Sequence, residues 1–187
     1  MAQLVGRIGP IELKPRRTTP FHSLVQAIIY QQLSGTVADV ILGRFQALFG
    51  DGTFPTPNQV LGATPERLRS AGLSRPKVTY VLGIAEKAAA GRLPTLEECD
   101  ELADAEILER LTDLKGVGRW TAEMFLIFNL ARPDVLPAHD LGVRKGFQIT
   151  YGKRALPEPE QLERFGKRWG PHRTTAALYL WRAVDTG

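Results

Sequence analysis

The chain has 187 residues, 43% hydrophobic and 24% charged, and its net charge of +4 (pI near 9.4) permits an anionic partner without demanding one. A single cysteine, Cys99, excludes an internal disulfide, a cysteine-cage zinc site and a four-cysteine iron–sulfur cluster. Apolar runs such as "MFLIFNLA" fall far short of the roughly 18 residues needed to cross a bilayer, and "MAQLVGRIGPIELK" lacks the apolar stretch of a signal peptide, so a cytoplasmic protein away from membranes is expected.

Helical periodicity runs through the chain. Phe21, Leu24, Val25, Ile28 and Ile29 follow the spacing of a core-facing helix, and Val40, Ile41, Phe45 and Leu48 predict a second that ends near Gly50. "GDGTFPTPNQ" reads as a turn-rich connection. "TPERLRSAG" predicts a short helix with Thr64 as N-cap, Pro65 at the first position and Gly72 as the stop. Val78, Val81, Leu82 and Ala85 share one face of the next helix, which stops near Gly91. Ile107, Leu108 and Leu111 mark a helix in "DAEILERLTDL", followed by the mostly interior "RWTAEMFLIFNLA". After the proline-broken connector "RPDVLPAHD", three further helices are expected in "LGVRKGFQITYG", "PEQLERFGKRWG" and "PHRTTAALYLWRAVD". No stretch alternates as a strand does, so the expectation is an all-α protein with short connections.

Two glycines stand between two of these helices, in "LKGVGRWTA" (114–122). Glycine turns the chain sharply and lets another backbone approach closely. Gly116 and Gly118 would then leave the amides of Gly116, Val117, Gly118 and Arg119 at a helix N-terminus, where unpaired N–H groups and the helix dipole suit a phosphate. Arg119 adds charge, and such a loop positions a nucleic-acid backbone without reading sequence. A plain turn between helices needs glycine too. The fuller pattern, with Thr121 closing "LxGxGxxTA", resembles the helix-hairpin-helix DNA-binding motif.

Asp140 lies 22 residues beyond Gly118, in "VLPAHDLGVRKGF". Taken alone it is an N-cap for the helix that follows. Beside a DNA-gripping hairpin, a carboxylate held at a helix N-terminus is also positioned to face the sugar of a nucleotide. The hairpin and this aspartate, with "IIYQQLS" (28–34), "FPTP" (54–57), "AGLSRPK" (71–77) and "YLWR" (179–182), resemble the helix-hairpin-helix superfamily of DNA base-excision glycosylases, most of all its 3-methyladenine DNA glycosylase II (alkylpurine) branch.

The resemblance implies two helical lobes with a DNA-binding cleft between them. Lobe one would span approximately 20–136, including the hairpin at 105–131, and lobe two approximately 1–19 plus 137–187. It implies catalysis by Asp140, a base pocket of Trp120, Trp181 and Met124, and backbone binding by Gly116, Val117, Gly118, Arg119 and Thr121. Family members that also cleave the strand carry a lysine where Trp120 stands. Tryptophan cannot form a Schiff base, so a monofunctional hydrolase without lyase activity is expected. No cofactor is required, although the resemblance implies a structural Na+ or K+ on the main-chain carbonyls of Thr112, Leu114 and Val117. The expected partner is double-stranded DNA with a damaged base, bound by a monomer.

His139, Arg144, Lys145, His172 and Arg173 are further candidates for phosphate contact, and Gln31 and Gln32 for hydrogen bonding near the cleft. Phe54 is the one aromatic near the short "GDGT" loop able to fill the gap left by a flipped base, unless it is packed. Two alternatives stay open: a glycosylase for a neutral base such as uracil or a mismatch, and a non-catalytic DNA-binding module.

Overall fold

The computed structural model describes residues 1–50 and 52–185, so Asp51 of the "GDGT" loop lies outside the described residues. The chain runs through α1 (Ala2–Ile8), α2 (Pro20–Tyr30), α3 (Gly35–Ala47), α4 (Pro57–Leu61), α5 (Pro65–Ser70), α6 (Arg75–Ala89), α7 (Leu96–Glu101), α8 (Asp104–Thr112) and α9 (Arg119–Met124). A π-helical turn (Phe125–Asn129) continues α9, and α10 (Leu141–Thr150), α11 (Pro159–Gly166), a 3-10 turn (Lys167–Trp169) and α12 (Arg173–Asp185) follow. Among the described residues there is no strand, and no helix is long and apolar enough to cross a membrane. The all-α expectation holds. Two compact units result: unit one, 1–16 with 126–187, and unit two, 17–125.

In unit two, α2 buries Phe21, Leu24, Val25, Ile28 and Ile29, the stripe its sequence marks. Each such side chain contributes about 1.5–3 kcal/mol by leaving water. On α6 the buried face is Val78, Val81, Ile84 and Ala85, with Ile84 in the place expected for Leu82. On α3 only Ala38 and Phe45 are buried and Val40 is 50% exposed, so its apolar face is rotated from the expected stripe. The caps of α5 are as read: the Thr64 side chain accepts from the Arg67 amide, and Gly72 takes φ +106°.

"FPTPNQ" is a helix start rather than a plain connection. Pro57 occupies the first turn of α4, and the Thr56 and Gln59 side chains close a reciprocal capping box. Phe54 packs inside this unit. Its ring stacks on His22 at 3.7 Å and meets Phe21 and Phe45 at 6.0 and 5.9 Å, so it does not serve as a gap-filling wedge. Burial lowers the His22 pKa.

In unit one, α10 and α12 pack at close range. A Cβ on Gly146 would run into the main-chain carbonyl of Leu180. Around that contact lie Leu136, Ala138, Val143, Phe147, Leu162, Ala177 and Leu180. Phe147, Tyr151, Phe165 and Trp169 extend the core as an aromatic cluster, capped by the Arg168 guanidinium 3.8 Å over Phe165. Helix α1 joins through Leu4, packed with Tyr179 and Ala183, while the Tyr179 hydroxyl donates to the Gly9 carbonyl at 2.8 Å.

The connector after the π turn is latched to the start of α12. Arg173 grips both oxygens of Asp134 at 2.7 and 2.8 Å, which holds that carboxyl below the usual carboxylate range. The Thr174 hydroxyl donates to the Arg132 carbonyl at 2.6 Å and accepts from the Val135 amide at 2.9 Å. Residues 126–136 therefore belong with unit one, where the sequence placed a lobe boundary near 136.

Candidate functional site

The residues singled out in the sequence fall in both units. Gly116 to Thr121 and Met124 lie in unit two, and Asp140 and Trp181 in unit one.

Helix α8 ends at Thr112, and a five-residue turn leads to Gly118, the N-cap of α9. Having no side chain, Gly118 leaves this N-terminus without a side-chain cap, the arrangement that suits an external anion. Gly116 adopts φ +91°, and a Cβ there would sit 2.5 Å from the Tyr80 ring. The Val117 amide closes the turn on the Leu114 carbonyl at 3.0 Å. Val117 and Thr121 are buried and anchor the loop, whereas Trp120 is 47% exposed, too open for a core aromatic. Met124, four residues on, lies on the same side of the helix and is half-buried. Phe125 is core.

Arg119, expected to add charge at this turn, is engaged along its own helix: its Nε donates to the buried Glu123 at 2.8 Å. Unit two is also net acidic, with 11 Lys and Arg against 13 Asp and Glu, while unit one has 13 against 7. Attraction of an anion to the hairpin therefore falls mainly to its main-chain dipoles.

In unit one Asp140 is the N-cap of α10, as its position in the sequence suggests. Two donors converge on its Oδ1: the Val143 amide at 2.8 Å and the Trp181 indole Nε1 at 2.8 Å. Trp181 thus meets Asp140 edge-on through its N–H. One face of the indole stacks on Phe128, with ring centroids 5.7 Å apart, and the Arg16 guanidinium lies 5.6 Å from the Phe128 ring. Gly142 makes room for this contact, because a Cβ there would come within 2.8 Å of Trp181 Cδ1 and 3.0 Å of Asp140 Oδ1.

Of the other basic candidates, Arg144 donates to the Pro157 carbonyl at 2.7 Å and Arg173 is committed to Asp134. His139, Lys145 and His172 are exposed. Gln31 donates to the Gly116 carbonyl at 3.0 Å, whereas Gln32 is exposed at φ +58°. Sequence reasoning missed Gly142, Phe128, Tyr80 and Glu123. Only Gly142 carried a local signal: with Gly146 it forms a small-residue pair four apart on one helix face.

Residues 25–172 match the family described as HhH-GPD superfamily base excision DNA repair protein. DNA-3-methyladenine glycosylase 1 of Schizosaccharomyces pombe is 37% identical over 182 residues, 97% of this chain and 79% of that protein. DNA-3-methyladenine glycosylase 2 of Escherichia coli is 27% identical over 188 residues, 95% of this chain and 63% of that protein. Among solved structures, the S. pombe 3-methyladenine DNA glycosylase in complex with abasic DNA matches with a TM-score of 0.85 at 37% identity, covering 97% of this chain and 89% of the other. The DNA-3-methyladenine glycosidase of Bacillus halodurans matches with a TM-score of 0.90 at 38% identity, covering 99% and 84%.

Proposed function

The chain belongs to the HhH-GPD superfamily of base excision DNA repair proteins, and from that premise we propose that it is a monofunctional DNA glycosylase that removes alkylated purines such as 3-methyladenine and 7-methylguanine. Asp140 carries this reading: a carboxylate fixed at a helix N-terminus with both an amide and an indole N–H on one oxygen.

An N3- or N7-alkylated purine is cationic, so its glycosidic electrons leave with the base and neutralise it. The sugar is left as an oxocarbenium-like cation. Asp140 stabilises that charge and orients the water that adds to C1′, taking its proton or passing it to solvent. The damaged nucleotide must first leave the stack, which is easiest for a weakened pair. Trp120 offers an exposed ring on which a cationic base gains about 0.5–2 kcal/mol by cation–π attraction, with Met124 beside it and Trp181 near the carboxylate. With tryptophan at position 120, that site forms no Schiff base, and the product is an abasic site in an intact strand.

The hairpin, through the backbone of Gly116, Val117, Gly118 and Arg119 with Thr121 behind them, holds the DNA phosphates. The carbonyls of Thr112, Leu114 and Val117 fit a hard monovalent cation. They are neutral peptide oxygens, and the Leu114 oxygen keeps a second lone pair beside its bond to the Val117 amide. Such an ion would hold the turn and take no part in the bond cleavage.

Methylated duplex DNA tests the reading directly. Freed 3-methyladenine or 7-methylguanine should appear by chromatography, with the strand unbroken until alkali is added and no covalent adduct trapped by borohydride. DNA binding without base release would refute it.

Two variants examine the parts. Trp181→Phe keeps an aromatic ring but removes the donor to Asp140. A hydrogen bond to a charged group is worth about 1.5–3 kcal/mol, so single-turnover base release should slow about tenfold or more while DNA affinity stays unchanged. Gly116→Ala places a side chain at φ +91° against Tyr80. Affinity for an abasic duplex, read by fluorescence anisotropy, should fall about tenfold through the displaced turn, for an added strain of about 1–2 kcal/mol.

A further inference from the structure

Lysine occupies a costly place in α6. Lys77 lies in the first turn, three residues after the N-cap Ser74, where the positive end of the helix dipole opposes a cation. Its ammonium instead reaches α2 and donates to the carbonyls of Ile29 and Gln31, both at 2.8 Å. Helix α2 has no basic residue in its own last turn, so Lys77 supplies from another helix the charge that its C-terminal carbonyls favour. The side chain is half-buried and burial lowers its pKa, so the ammonium has exchanged part of its water for these carbonyls.

The same contact extends to the hairpin. Gln31, whose own carbonyl Lys77 holds, donates through Nε2 to the carbonyl of Gly116, 85 residues away. Tyr80, three residues after Lys77 on the same side of α6, puts its ring where a Gly116 side chain would be. Gly116 is therefore fixed twice from α6: at its oxygen through Gln31, and at its Cα by Tyr80. That fixes the peptide plane leading into Val117, Gly118 and the open N-terminus of α9.

We propose that Lys77 is a positioning residue for DNA binding: through Gln31 it presets the Gly116 carbonyl and so the amides that meet phosphate. This rests on the hairpin's role in the proposed function. Its effect falls on backbone affinity and not on bond cleavage, since neither Lys77 nor Gln31 meets a reacting atom.

The test compares wild type, Lys77→Met, Lys77→Arg and Gln31→Met for binding to an abasic duplex across a salt series, with single-turnover base release at saturating enzyme. Lys77→Met should bind about tenfold more weakly. The slope of log affinity against log salt should fall by about one, the value of one lost phosphate contact. Base release at saturation should stay within twofold. Lys77→Arg should restore most of the affinity. Gln31→Met, which leaves the cap on α2 intact, should reproduce the loss, and the double variant should be no worse than Lys77→Met alone. Unchanged affinity and slope in Gln31→Met would overturn the proposal, even if Lys77→Met proved too unstable to measure. Affinity lost at an unchanged slope would do so too, because it marks a general structural role. Failure of the wild type to bind DNA would instead defeat the functional reading beneath it.

Discussion

Replacing Asp140 with asparagine is expected to slow base release by about 10²- to 10⁴-fold while leaving fold and DNA affinity close to wild type. The substitution is conservative in every respect but charge. Asparagine is among the best N-cap residues, so α10 keeps its start. Its carbonyl oxygen can accept from the Val143 amide and the Trp181 indole as Oδ1 does now. What is lost is the negative charge facing the developing oxocarbenium ion and the group that accepts a proton from water. Single-turnover release of 7-methylguanine, with circular dichroism and binding to an abasic duplex as controls, measures it. An asparagine variant as fast as wild type would leave Asp140 as a cap alone and return the chain to the reading of a DNA-binding module.

Gly146→Ala should cost about 2–4 kcal/mol and lower the melting temperature by roughly 5–15 °C. Two effects oppose each other. Alanine is favoured over glycine within a helix by about 1 kcal/mol. Against that, the new methyl meets the Leu180 carbonyl, and a main chain cannot rotate aside as a side chain can. Helices α10 and α12 must separate, and the collision wins. Because Trp181 follows Leu180, separation also draws the indole from Asp140, so activity should fall further than the folded fraction does. Gly83→Ala in α6 is the matched control: nothing lies within 4 Å of its Cβ position, and a gain of about 0.5–1 kcal/mol is expected. A melting temperature unchanged in Gly146→Ala would show that the two helices have slack that their geometry does not suggest.

Features set by local chemistry were legible in the sequence. Thr64, Pro65 and Gly72 bound α5 by capping and positive φ, the α2 stripe follows from period alone, and Asp140 caps α10 because aspartate favours that position. The hairpin glycines are local too. Features set by contact between distant residues were not. Helix α1 has one buried residue, Leu4, and its association depends on Tyr179, 170 residues beyond Gly9. The rotation of α3 follows from what its neighbours cover, which its own periodicity does not record. In α4 prolines were taken for punctuation, yet proline in a first helical turn marks a beginning. At the site, Asp140 could be found alone, but its bond to Trp181 spans 41 residues and turns a pocket candidate into an orienting donor.

Many enzymes hold their reactive groups against the interest of the fold, so that inactivating substitutions are often stabilising. Asp140 departs from that pattern, because the hydrogen bond that starts α10 also fixes the carboxylate. Relaxed selection on chemistry would therefore not by itself release this position, since folding alone continues to favour an acid or its amide there. Trp120 and Met124, more open and tied less to the core, are free of that constraint. Descendants of this chain should diversify at the base-facing residues first, changing which lesion is accepted while the carboxylate stays.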